Sequence, residues 1–308
     1  MSSWKLIRNI WILYKNMKNL NNKRILLFGP TGKVGGAMRT VLGESKIICV
    51  NHSECDVSCS DKVVKIIEEV KPEIVINAVA FNGLDACEED PQQALRVNTL
   101  FPKILAELSN IHDFVLIHFS TDAVFEGNTS DYYLESSAAH PINMYGFTKF
   151  GADSFISAIA NKYYIARLSI QFGASDSSTQ LIEKMLEKIR SGCRHLRISE
   201  DIIASPSYSI DVANTVKGIV ENESPYGLYH IANQGKASPY ELMRELVILL
   251  RLDVIIEPVP HAIFNTKSRK NPCTPITSEK LSLLRPWQEA LADYCQQLTP
   301  TNNPVSIP

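Results

Sequence analysis

The chain has no C-x-x-C pair, although seven cysteines are spread over its 308 residues. The odd count argues against a closed disulfide framework, and no paired Cys or His spacing offers zinc its ligands. Cys49, Cys55, Cys59, Cys87, Cys193, Cys273 and Cys295 therefore read as reduced core and loop thiols of a cytoplasmic protein. A surplus of charge is missing as well. The formal net charge is −2, so no global basic field recruits nucleic acid. No stretch reaches the roughly 18 apolar residues of a membrane span. Internal repeats and low-complexity segments are also lacking. What is present is 45% apolar and 21% charged residues, a globular composition in a chain long enough for one large domain or two ordinary ones.

The first 23 residues mix Trp4, Ile7, Ile10, Trp11, Leu13 and Tyr14 with Lys5, Arg8, Lys15 and Lys18. Their apolar run is too short for a signal-peptide core. They read as a dispensable extension, with Met17 as an alternative start; a short amphipathic helix is the other reading. From residue 24 onward, short apolar runs alternate with helical spacings. Strands are expected at 24–28, 46–50, 74–80, 114–119 and 163–168. Helices are expected at 34–42, 60–70, 91–109 and 145–160. This alternation indicates an α/β fold with a Rossmann-type doubly wound parallel sheet over 24–170. Beyond residue 170 the pattern loosens. Helices are expected at 178–191, 209–221, 239–251 and 286–298, and short strands at 195–199, 227–232 and 253–258. Residues 171–298 thus read mainly as a smaller mixed α/β lobe for substrate, with part of 205–230 returning to the first domain. The tail 299–308, rich in Pro, Asn and Thr, reads as loose.

Three motifs carry chemistry. Gly29-x-x-Gly32-x-x-Gly35 follows the first strand and opens the first helix. Glycines there let the backbone approach a pyrophosphate, which rests on helix N-terminal amides. Gly29, Thr31, Gly32, Lys33, Val34 and Gly35 are the candidate loop contacts. Asp56 and Val57 are placed to reach an adenine, and Ala78 and Ala80 lie at the end of the third strand. An acidic residue ending the second strand would favour NAD; the chain has Asn51-His52-Ser53. With Lys33 available for a 2′-phosphate, NADPH is expected, and NADH stays open. Tyr145-x-x-x-Lys149 starts a helix, so both side chains share one face. The ammonium is expected to lower the phenol pKa and to hold a ribose. Thr121, in Ser120-Thr121-Asp122 at a strand end, is placed to hydrogen-bond a reacting oxygen. Tyr14-x-x-x-Lys18 matches the Tyr–Lys spacing by accident, so it is the order of all three motifs that carries weight.

In that order the motifs resemble the extended short-chain dehydrogenase/reductase superfamily, and more narrowly the dTDP-4-dehydrorhamnose reductase family. The resemblance runs from about Arg24 to Leu298. It includes Ile76-Asn77-Ala78, Asp85, Val97-Asn98, Val124-Phe125-x-Gly127, Tyr133-x-Glu135, Arg167, Gly173, Gly227-x-Tyr229-His230 and Pro286-Trp287. It implies that NADPH delivers hydride to C4 of a nucleotide-diphosphate 4-keto-6-deoxysugar. Tyr145 would protonate the oxygen with help from Thr121, and Lys149 would tune Tyr145. Asn98 would be structural.

The chain departs from the family along the substrate wall. Ala123 replaces a Tyr after Ser-Thr-Asp, and Ile170 stands where the family has Trp. The family's Asp-Gln-x-Gly-x-Pro-Thr loop reads Asp201-Ile202-Ile203-Ala204-Ser205-Pro206-Ser207. Asp201 and Ser207 are weaker substrate candidates, while Arg269 or Lys270 is placed to contact a diphosphate. A related sugar is the expectation, a bulkier N-acetylated or UDP-linked one. Two alternatives stay open: a non-catalytic NADP-binding regulatory subunit resembling that of methionine adenosyltransferase, and a sugar-nucleotide epimerase or dehydratase. A homodimer is also left open.

Overall fold

Apolar runs buried from both faces become the parallel strands of a central sheet. In the computed structural model, residues 20–43, 47–174 and 181–298 are described. The extension with Met17, the start of the helix expected at 178–191 and the tail lie outside them. β1 (Ile25–Phe28), β2 (Ile47–Val50), β3 (Ile74–Asn77), β4 (Val115–Thr121) and β5 (Tyr163–Leu168) lie in the order β2–β1–β3–β4–β5. The later strand Gly227–His230 pairs with β5, and every neighbouring pair in this sheet is parallel. β1 and β3 are buried throughout, whereas the edge strand β2 is half exposed. The winding reverses between β1 and β3, the position where open α/β sheets leave a ligand crevice.

Helices cover both faces. Helix α1 (Lys33–Leu42) and the helix Ser209–Glu221 place Met38, Leu42, Val212 and Val216 against one side. Val63, Ile67, Phe101, Leu105 and Ile156 cover the other. The Ser209–Glu221 helix and the Gly227–His230 strand therefore both belong to the first layer system. The remaining chain builds its own core. His195–Ser199 pairs in parallel with Ile255–Val259, and Phe172 stacks on Tyr208 with ring centroids 5.5 Å apart. Helices Leu181–Arg190, Pro239–Leu249 and Trp287–Leu298 close over them. Ser238 and Glu241 form a capping box that fixes the start of Pro239–Leu249.

Several elements differ from the sequence expectation. The third strand stops at Asn77 because its side chain accepts from the Val79 amide at 3.0 Å and turns the chain. The helix expected at 91–109 begins as Pro91–Leu95, passes through a π turn at Arg96–Leu100 and continues as Phe101–His112. The π turn presents Asn98 inward. Its amide clasps the Phe81 backbone at 2.8 and 3.1 Å and reaches Thr148 at 3.2 Å. The two-residue strands Gln171–Phe172 and Ser207–Tyr208 pair in parallel and were not foreseen, being too short to show a period.

β5 also carries a buried ion pair. Arg167 Nε donates to Asp153 Oδ2 at 2.9 Å, with both side chains almost fully enclosed. The guanidinium lies over the Phe125 ring at 5.3 Å. Burial pushes the Asp153 carboxyl up, and Arg167 pulls it back. Replacing Arg167 by Met strands that carboxyl in the core. Urea denaturation of Arg167→Met is expected to show a loss of about 3–5 kcal/mol; an unchanged midpoint would count against this account.

Candidate active site

The turn after β1 can be built only with glycine. Gly29 has φ +79°, and a Cβ there would meet the Ala78 carbonyl at 2.9 Å. A Cβ on Gly35 would stand 2.0 Å from the Gly29 oxygen. Gly32 differs: its nearest neighbour would be 3.9 Å away. It is the N-cap of α1 and supplies no side-chain cap, so the first-turn amides are left for an external acceptor. An open cradle of amides at the N-terminus of a ten-residue helix fits the pyrophosphate of a dinucleotide.

From this cradle a crevice of about 590 Å³ runs along the carboxyl edge of the sheet. Gly32, Lys33, Val34, Ala78 and Ala80 line its cofactor end. Thr121, Tyr145 and Lys149 line its middle, and Ile170 and Lys270 its far end. A second cavity of about 700 Å³ lies within the smaller lobe, and Ile170 and Lys270 border both.

The helix Met144–Ile159 brings the catalytic candidates together. Asn143 caps it by accepting from the Gly146 amide at 2.8 Å. A Cβ at Gly146 would lie 2.2 Å from the Ala123 oxygen, so the first helical turn presses directly on the turn that follows Thr121. Tyr145 and Thr121 share a hydrogen bond as a result. Thr121 Oγ1 also accepts from the Ala123 amide at 3.1 Å and donates to Asp122 Oδ1 at 3.2 Å. Asp122 Oδ2 accepts from Ser169 at 2.6 Å and from Thr274 at 3.0 Å.

Burial pushes the Tyr145 phenol well above its ordinary pKa, and the nearby Asp122 carboxyl and Cys87 thiol add to the rise. Only the Thr121 hydrogen bond opposes it. The expected lowering by Lys149 is therefore not found. Lys149 is engaged elsewhere: its Nζ donates to the Phe119 oxygen at 2.5 Å and lies 3.2 Å from His118 Nε2. Burial brings it down to about 8, with Asp153 acting against the fall.

The tautomer of His118 follows from its neighbours. Asn77 Oδ1 is taken by the Val79 amide, so its Nδ2 donates to His118 Nδ1 at 3.1 Å. The ring proton then sits on Nε2 and faces Lys149. That placement suits the amine form of Lys149, whereas a pKa of about 8 leaves the ammonium predominant at neutral pH. Neither His118 nor this use of Asn77 was singled out from sequence. A histidine inside the apolar strand Val115–Thr121 was the available signal.

Other predicted contacts lie elsewhere. Lys33 is buried and donates to Glu183 at 2.6 Å, so it is committed to the Leu181–Arg190 helix and is not poised for a 2′-phosphate. Asp56 accepts from Ser58, and Val57 is packed in the core. Asp201 is exposed and caps a turn by accepting from the His261 amide at 2.7 Å. Ser207 is buried, bonded to Ser205 and Asn233. Arg269 is exposed, and its backbone oxygen accepts from Asn143. Ala123 lines a separate small cavity beside the crevice. Among the described residues no cluster of His, Cys, Asp and Glu could hold a metal, and no helix is long and apolar enough to cross a membrane.

Fold and crevice together are those of the extended short-chain dehydrogenase/reductase class of oxidoreductases. More narrowly, the family model described as the RmlD substrate binding domain matches residues 23–299, and the chain belongs to that family. The dTDP-4-dehydrorhamnose reductase of Aggregatibacter actinomycetemcomitans is 29% identical over 287 residues, covering 87% of this chain and 97% of its own. The crystal structure of a dTDP-4-dehydrorhamnose reductase from Clostridium acetobutylicum is similar with a TM-score of 0.83 at 26% identity, over 89% of this chain and 99% of that one. The Bacillus anthracis dTDP-4-dehydrorhamnose reductase in complex with NADP has a TM-score of 0.84 at 23% identity, over 89% and 99%.

A methyl group at Gly35 must displace the Gly29 carbonyl and so deform the cradle. Gly35→Ala is expected to weaken dinucleotide binding by roughly tenfold or more, since about 1.4 kcal/mol suffices for that factor. A fluorescence titration showing wild-type affinity would refute the assignment of this loop.

Proposed function

We propose that the protein reduces the 4-keto group of a nucleotide-linked 6-deoxysugar with NADPH, supplying a polysaccharide or glycan pathway. The observation that carries this reading is the Thr121–Tyr145 pair, which stands where the glycine-loop crevice meets the small cavity lined by Ala123. The names of the similar reductases support the same chemistry. The choice of NADPH rests on the neutral end of β2, Asn51-His52-Ser53, and on the NADP complex of the Bacillus anthracis relative.

When bound, the reduced nicotinamide supplies the hydride. Tyr145, kept protonated by burial, donates its proton to the oxygen that becomes the alcohol. Thr121 orients the same oxygen through its hydroxyl. Lys149 holds the ribose and stands one helical turn from Tyr145. Lys270 borders all three cavities and has no hydrogen-bond acceptor among the described residues, so its ammonium is available to a diphosphate.

The direct test is NADPH oxidation by the full chain with dTDP-, UDP- and GDP-linked 4-keto-6-deoxysugars. At least one should be turned over, and Tyr145→Phe should lower its kcat by roughly 10²–10⁴-fold. Tight NADP binding without turnover of any sugar would favour a regulatory subunit instead.

Lys149 also predicts a pH dependence. It is charged below about 8 and neutral above, so kcat/KM should fall as pH rises through that value. A profile flat across this range would remove the ammonium from the mechanism.

A further inference from the structure

Beside the reacting centre lies a chamber of about 270 Å³ whose use the reduction itself does not explain. It shares Thr121, Tyr145, Ser169, Ile170 and Lys270 with the catalytic crevice, so it opens at the catalytic hydroxyls. Its far side is built from Ala123, Ala204, Pro206, Ala237 and Leu242. Small side chains leave the space open, and backbone bonds keep it so. Ala204 and Ala237 exchange two backbone hydrogen bonds at 3.1 and 2.9 Å. Asn271 Nδ2 donates to the Phe125 oxygen at 2.6 Å, fixing the chain beyond Ala123.

Apart from Lys270, which the chamber shares with the crevice, the polar groups in this wall are engaged. Thr274 donates to Asp122, and Asn271 Oδ1 accepts from Asn143 at 2.8 Å. Ser238 Oγ accepts from the Glu241 amide at 3.1 Å. The interior therefore presents carbon and satisfied polar atoms. A sugar hydroxyl seated at the far side, among Ala123, Ala204, Pro206, Ala237 and Leu242, would lose water and gain no partner there. A methyl or short acyl group would lose nothing and bury apolar surface. The volume is also several times the roughly 30 Å³ share of one water molecule, so a lone hydroxyl or methyl leaves most of it unfilled.

We propose that this chamber receives the acyl end of an acylamino substituent on the sugar ring, and so selects acetamido-bearing 4-keto-6-deoxysugars over their hydroxyl counterparts. The inference rests on the reductase reading above and refines its substrate class. The amide stays at the mouth, beside the catalytic crevice, and its methyl enters among Ala123, Ala204 and Ala237.

The test compares substrates in pairs with the full chain and NADPH. Each pair has the same nucleotide and differs only in carrying hydroxyl or acetamido, at C2 in one pair and at C3 in the other. The acetamido member is expected to win by roughly 10–200-fold in kcat/KM at one of the two positions, the range of discrimination by an apolar pocket. Filling the chamber by Ala237→Leu should reduce that ratio by about tenfold or more. Because the ratio is taken within one protein, loss of folded enzyme cancels. If Ala237→Leu does not fold, Ala204→Val carries the same expectation. Equal or better use of the hydroxyl sugar in both pairs would overturn the proposal, as would a ratio unchanged in the filled variant. Reduction of no sugar at all would instead overturn the reductase reading, and the chamber's role with it.

Discussion

The pressure of one helix start on one turn organises this site. Gly146 lies so close to the Ala123 carbonyl that no side chain fits between them. That contact joins the end of β4 to the first turn of Met144–Ile159, and so sets the Tyr145 phenol against the Thr121 hydroxyl. Asn143 secures the contact from below, accepting from Gly146 and donating to Asn271. Lys149 follows one turn later and faces the same crevice. The geometry of the candidate site thus comes from close backbone packing, with side-chain hydrogen bonds holding it in place.

Burial then does most of the electrostatic tuning. It raises Tyr145 and Asp122 and lowers Lys149 and His118, each time favouring the uncharged form. A phenol that keeps its proton suits the proton donation proposed for Tyr145. The chain Asn77–His118–Lys149 adds direction to this, because the fixed Asn77 amide decides which ring nitrogen carries the proton. Asn98 contributes from a different element. Its bonds to Phe81 and Thr148 tie the loop after β3 to the helix Met144–Ile159, a structural role of the kind the family resemblance implied.

Much of this was legible in the sequence, because the features involved are local. Buried strands betray themselves as short apolar runs, and the glycine loop has a spacing that its steric demands impose. The order of Thr121, Tyr145 and Lys149 pointed to the oxidoreductase class for the same reason. What escaped detection depends on partners distant in the chain. Lys33 looks like a phosphate ligand until Glu183 is found 150 positions away, closing on it across the lobes. Asp201 looks like a substrate contact until His261 claims it. The π turn around Asn98 cannot be read from a helical period, since it interrupts that period to satisfy Phe81. The phenol's pKa direction depends on the enclosure around it, which no four-residue spacing records.

The Lys33–Glu183 pair has a mechanical consequence. It fastens the residue next to Gly32 to a helix of the other lobe through a bond almost wholly shielded from solvent. Displacement of that helix therefore strains the glycine loop itself, so the two elements are mechanically coupled at the mouth of the crevice.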